Sequence, residues 1–218
     1  MRLSLYYPVN PHHVNQHFAE NVPCVADFGK STQTVLDPLK DGTCPVGSDK
    51  LYPHFGMRGH NGVDLMAGEQ EVRASCAGVV VEIQDAPARG LGVGVITNEK
   101  FGVDGYGDYF VKIRYWHLKT ILVSPGQRVV EGDLLGISDS TGFSSGNHLH
   151  FEGQLIQKDD GGHPTVLYLP GNIAGAIDLE PHFNGQYAAD IAKKADLLRQ
   201  TIKVLQMMIA VLQKRINK

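Results

Sequence analysis

YFVKIRYWHLKTILVSPGQRVVEGDLLG, residues 109–136, reads as β-structure broken by turns. Tyr109 to His117 is enriched in β-branched and aromatic residues with partial alternation, the pattern of a strand that buries at least one face. Beyond it, turn signals at Pro125-Gly126 and Glu131-Gly132 interrupt short apolar runs, which is hairpin chemistry. Working outward, Glu71 to Ala77 and Val79 to Gln84 are apolar runs separated by Gly78, Val93 to Thr97 is β-branched, and His148 to Ile156 is a further strand candidate. Pro23 to Asp49 reads as a long loop. Short apolar runs set among turn residues predict a mainly β domain with antiparallel sheets.

All 25 glycines and 11 prolines of the 218 residues fall at or before Gly185. The breaker-free remainder predicts one uninterrupted helix, so the chain divides into a domain at 1–185 and a C-terminal helix at 186–218. Twenty Lys+Arg against 23 Asp+Glu give a net charge of −3, without the basic excess of a nucleic-acid binder. Seven of those cations and only two acids lie in 188–218, so an acidic domain carries a basic helix. The start, MRLSLYYPVNPHHVNQ, has neither a basic nor an apolar signal region, and no stretch is long enough for a transmembrane span. Cys24, Cys44 and Cys76 show no C-x-x-C spacing; Cys24 and Cys44 are candidates for a disulfide outside a reducing compartment, and Cys76 reads as a core residue.

Within the helix, Ile191, Ala195, Leu198, Ile202, Leu205, Ile209, Leu212 and Ile216 recur at alternating spacings of four and three. With Ala195, Ile202, Ile209 and Ile216 at a and Ile191, Leu198, Leu205 and Leu212 at d, this is the pattern of a parallel two-stranded coiled coil. Leu197, Val204 and Val211 widen the apolar face. Three roles stay open at this stage: homo-oligomerisation or attachment to a larger assembly, packing on the chain's own domain, and lying on an anionic surface.

Ten histidines invite a search for metal-ligand spacing. His60 and Asp64 form H-x-x-x-D in GHNGVDLMAG, and His148 and His150 form H-x-H in GNHLHFE. On a strand, side chains two apart share a face, so one of that pair can bind a metal while its neighbour meets a ligand of the metal. Two imidazoles and a carboxylate suit catalytic zinc, which keeps a fourth position open for water. His117, ending YFVKIRYWH, is the natural second proton-handling histidine. His12, His13, His17, His163 and His182 read as ordinary loop or surface residues.

These segments in this order resemble the lysostaphin-type, LytM-like zinc metallopeptidases that cleave peptidoglycan peptides. The resemblance spans about 59–153, with VNQHFAEN (14–21) similar to the opening strand and IDLEPHF (177–183) to the end of such domains. It implies antiparallel sheets that form a groove, built as a duplicated hybrid motif. It further implies one Zn2+ per chain held by His60, Asp64 and His150, with His117 and His148 as the catalytic pair and His54 as an added oxyanion group. The loop TGFSSGN (141–147) would form a groove wall, with Thr141, Ser145 and Asn147 toward the substrate. The implied partner is a peptidoglycan peptide and the implied place of action the cell wall. Asp139 and Asn147 stand where the family often has glycine and proline, and 22–53, without a counterpart, is read as a flap over the groove. The rival readings are a catalytically silent wall-binding or activator module and a phage structural component of the same fold.

Overall fold

The computed structural model describes residues 1–10, 12–19, 60–87, 89–103, 105–158, 162–168 and 175–216. Its strands are β1 (Leu5–Tyr7), β2 (Val14–Gln16), β3 (Val63–Met66), β4 (Glu71–Arg73), β5 (Gly78–Ala86), β6 (Gly90–Thr97), β7 (Phe101–Val103), β8 (Gly107–Ile121), β9 (Arg128–Val129), β10 (Leu134–Ser138), β11 (His148–Lys158), β12 (Pro164–Val166), β13 (Ala176–Ile177) and β14 (Phe183–Tyr187). A 3-10 turn (Glu180–His182) precedes β14, and the helix α1 (Ala188–Ile216) follows it. Among the described residues the fold is mostly antiparallel sheet with a C-terminal helix, and the pairing of strands β1 and β14 is parallel. His54, the Cys24–Cys44 pair and the 22–53 flap lie outside the described residues.

The main sheet runs β2-β3-β11-β8-β6-β5-β9, with the two longest strands, β8 and β11, side by side at its centre. Alternation then sorts their side chains. Leu149, Phe151 and Leu155 of β11 and Ile113 and Tyr115 of β8 enter the apolar core with Leu65 and Leu135, all fully buried. Each such side chain contributes on the order of 1.5–3 kcal/mol through burial. Tyr115 satisfies its hydroxyl there by accepting from the Ser75 N–H at 2.9 Å. Cys76 is buried as expected, and burial, followed by the Glu131 charge, pushes its thiol up to about 12.

Two local expectations are corrected. Gly78 does not separate two strands but opens β5, where a Cβ would stand 2.3 Å from the Ile96 carbonyl oxygen, so its lack of a side chain lets β6 approach. The 123–136 segment turns where expected, but its strands do not pair with each other: β9 joins β5, whereas β10 joins β4 and β8. Local turn chemistry could not reveal that long-range partners outcompete the hairpin.

Helix α1 has 29 residues, a length on the order of 40 Å at about 1.5 Å per residue. Its first turn is anchored by buried Ala188 and Ala189. Beyond it, Leu198, Ile202, Leu205, Ile209 and Leu212, with Leu197, Val204 and Val211, are all at least 50% exposed. Among the described residues, none of the chain's own domain covers the heptad seam. No helix among the described residues is long and apolar enough to cross a membrane.

Candidate metal centre

Strand register brings the two motifs together. β3 lies antiparallel to β11 with Asp64 directly opposite His150, while His60 enters from the segment just before β3. The Asp64 Oδ1 lies 2.9 Å from His150 Nδ1 and 3.1 Å from His60 Nε2, and the two ring nitrogens are 3.0 Å apart. These ligand atoms all lie within 4.8 Å of one another. Burial alone would raise the Asp64 carboxyl, but the adjacent imidazoles of His60 and His150 hold it well below the usual carboxylate range. Gly62 makes room for this convergence: a Cβ there would sit 2.7 Å from His150 Nε2 and 2.7 Å from the Phe151 carbonyl oxygen.

The donor set fits a metal. Three groups from two chain segments aim one lone-pair atom each at a common point, and they carry one negative charge and two borderline-soft nitrogens, the composition preferred by zinc. His60 has the matching tautomer, because its Nδ1–H donates to the His17 carbonyl oxygen at 2.9 Å and leaves Nε2 with the lone pair. The His17 segment is itself tied down: the Phe18 N–H donates to Glu180 Oε1 at 3.0 Å, and His17 Nδ1 lies 2.7 Å from Glu180 Oε2. Reading His17 as an ordinary loop residue misses this main-chain role, which no side-chain pattern advertises. His182, likewise expected at the surface, is buried in the 3-10 turn.

His117 and His148 stand beside the three, with ring centroids 4.6 Å apart. The His117 and His150 rings are 6.0 Å apart, and His148 Nε2 is 3.5 Å from Asp64 Oδ2. A β-bulge puts His117 there. From Leu118↔Leu91 to Tyr115↔Val93, β8 uses one more residue than β6, and His117 takes the left-handed φ of 63°. Tyr115 and Leu118 both remain in the core, so the inserted residue turns the His117 ring to the opposite face, alongside Trp116, the cross-strand partner of His150. The Asp139 main chain clamps the bulge, donating to the His117 carbonyl oxygen at 2.9 Å and accepting from the His148 N–H at 3.2 Å.

Both rings are oriented by carbonyls. His117 Nδ1–H donates to the Thr141 carbonyl oxygen at 2.7 Å, and His148 Nδ1–H donates to that of Gly146 at 2.8 Å. These contacts turn the Nε2 edge of each ring toward the site. Burial, then the neighbouring His150, pushes the His117 ring down to about 4, so it is neutral and able to accept a proton at neutral pH. The loop residues divide. Thr141 orients His117 through its carbonyl, and its hydroxyl, which donates to the Leu118 carbonyl oxygen and accepts from the Leu91 N–H, is occupied. Ser145 and Asn147 are exposed on the loop. Ser144, not singled out by the sequence, lies 3.2 Å from His148 Nδ1.

Known proteins resemble this chain over the segment that holds the site. Residues 58–161 match the model of peptidase family M23. The chain is 40% identical over 79 residues to an uncharacterized metalloprotease of Buchnera aphidicola subsp. Baizongia pistaciae, covering 33% of this chain and 21% of that protein. It is 37% identical over 139 residues to the peptidoglycan DD-endopeptidase ShyA of Vibrio cholerae serotype O1, covering 63% of this chain and 28% of that one. Among solved structures, the catalytic domain of the antimicrobial peptidase lysostaphin from Staphylococcus simulans aligns with a TM-score of 0.42 at 30% identity, over 56% of this chain and 77% of that one. The chain spans about a quarter of the length of the curated relatives it matches. The segment matched to peptidase family M23, residues 58–161, encloses the H-x-x-x-D and H-x-H residues, and the curated proteins similar to it include metalloproteases.

Proposed function

We propose that the chain is a zinc-dependent endopeptidase that hydrolyses a peptide bond in the stem peptides or cross-bridges of bacterial peptidoglycan and so acts at the cell wall. The observation that carries this reading is the convergence of His60 Nε2, Asp64 Oδ1 and His150 Nδ1 beside two carbonyl-oriented histidines. His60, Asp64 and His150 would hold one Zn2+, which supplies Lewis acidity that polarises the scissile carbonyl and makes water a nucleophile near neutral pH. His117, neutral and with its Nδ1–H anchored, accepts the water proton at Nε2 and then faces the developing oxyanion as a donor. His148, anchored in the same way, takes the remaining proton of the attacking hydroxyl at Nε2 and passes it to the leaving amine. No side chain forms a covalent bond to the substrate. Ser145 and Asn147, exposed beside His148, are assigned to substrate contact. The similarity to ShyA supports a wall peptide as substrate. Mass spectrometry of peptides released from walls of several chemotypes tests this reading. New amino termini at one bond type are expected; no release from any wall by a chain holding one zinc would instead indicate a silent wall-binding module.

The proposed division of labour places this chemistry in 1–185 and assigns 186–218 to self-association. The uncovered seam has Ile at a and Leu at d, the arrangement that suits a second copy of the same helix in parallel register. Light scattering on the full chain is expected to give at least a dimer mass, and Ile202→Asp with Leu205→Asp to give the monomer. A monomer mass for the unmutated chain at micromolar concentration would contradict the assignment.

A further inference from the structure

The His60 ring has its distal nitrogen fixed by a main-chain carbonyl. The distal nitrogen of His150 faces something different. Along β11 the period of two places His148, His150, Glu152 and Gln154 on one face, and Glu152 carries its carboxylate into the sheet at 1% exposure, with Oε2 3.9 Å from His150 Nε2. A carboxylate so deeply buried is costly unless it is matched by a cation. Directly opposite on β8 is Arg114, itself buried, whose guanidinium reaches Glu152 Oε1 at 3.4 Å. Arg114 is in turn held from β5: its Nε lies 3.1 Å from Glu82 Oε2 and its other terminal nitrogen 3.0 Å from Glu82 Oε1. Lys112 adds a contact of 3.0 Å to the same Glu82. Burial works against the Glu82 charge, but Arg114 and Lys112 hold its carboxyl below the ordinary value.

We propose that Glu152 is the positioning residue for His150, with Arg114 and Glu82 holding it in place, so that the row Lys112, Glu82, Arg114, Glu152 extends behind the ring and sets its tautomer. To offer a lone pair at Nδ1, a neutral imidazole must carry its proton at Nε2, and a fixed negative charge on that side favours this form. Gly62 packs close to the Cε1–Nε2 edge of the ring, where a Cβ would stand 2.7 Å from either atom, so the carboxylate acts on a ring with little freedom to turn away. The guanidinium that neutralises Glu152 approaches its other oxygen, Oε1, and leaves Oε2 toward the ring. Glu152 touches neither substrate nor metal in this assignment. The inference rests on the proposed ligand role of His150.

The test is a zinc competition titration against a chromophoric chelator on the full chain and its Glu152→Gln variant, with the unfolding temperature of each apo protein measured in parallel. Glu152→Gln keeps the shape and removes the charge. Its dissociation constant for zinc is expected to rise about 10- to 100-fold, while the apo protein retains a cooperative unfolding transition. Unchanged zinc affinity in a folded Glu152→Gln protein would overturn the positioning role and leave the proposed function standing. Failure of the unmutated chain to bind zinc would overturn both, starting with the function. Should Glu152→Gln not fold, Glu152→Asp keeps the charge for Arg114 but withdraws it from His150. It is expected to weaken zinc binding several-fold, and unmutated affinity in that variant would equally overturn the proposal.

Discussion

Asp64→Ala is expected to lose both the metal and the activity. The carboxylate supplies the only negative charge among the three converging donors, and it sits within 3.1 Å of both ligand imidazoles. Without it, two neutral rings remain, and a dication gains neither a third ligand nor charge compensation. Several kcal/mol of transition-state stabilisation go with the metal, so at roughly tenfold per 1.4 kcal/mol the rate falls at least about a thousandfold. Asp64 lies on β3 beside the core residues Val63 and Leu65, which the substitution leaves in place, so the β3–β11 ladder should persist. Plasma emission spectrometry of the purified variant, read against a wall-peptide cleavage assay, checks the expectation; stoichiometric zinc in Asp64→Ala would refute the ligand assignment.

His117 separates binding from turnover. Its ring reaches the site from a bulge and contributes no atom to the converging ligand set. Removing it should therefore leave one metal per chain and lower kcat by about 10²- to 10⁴-fold, the usual contribution of a positioned proton-transfer group. The backbone sets a condition on the test. At φ 63° the bulge is strained for a residue with a Cβ, and asparagine tolerates that region better than alanine. His117→Asn is thus the cleaner variant, and His117→Ala adds some loss of stability to the same loss of turnover. Kinetics and metal content measured on both decide the matter: unmutated kcat in His117→Asn would remove His117 from the chemistry.

The legible part of the site consists of residues whose spacing matches a local geometry. H-x-H on a strand predicts two rings on one face, and His148 and His150 do share the face that also holds Glu152. The breaker-free run after Gly185 predicts the helix, which begins at Ala188. What was not legible depends on contacts between distant segments. His117 was singled out in the sequence, but not the extra residue of β8 against β6 that brings its ring to the site; periodicity alone would have aimed it into the core with Tyr115. The oriented tautomers of His60, His117 and His148 depend on main-chain carbonyls of His17, Thr141 and Gly146, groups that every residue type possesses. The pairing of β9 with β5 in place of β10 was hidden for a related reason, since turn residues specify where the chain reverses and not which strand it next meets. Glu152 was visible in GNHLHFE, but its significance appears only when Arg114 lies opposite it.

Titrating zinc into the metal-free chain while reading wall-peptide cleavage tests the central claim most directly, because it joins the converging donors to the reaction in one curve. The account predicts no cleavage without metal, a linear rise to a plateau at one zinc per chain, and loss of that plateau on chelation. Cleavage by the metal-free chain, or a chain that binds one zinc and cleaves no wall peptide, would contradict it.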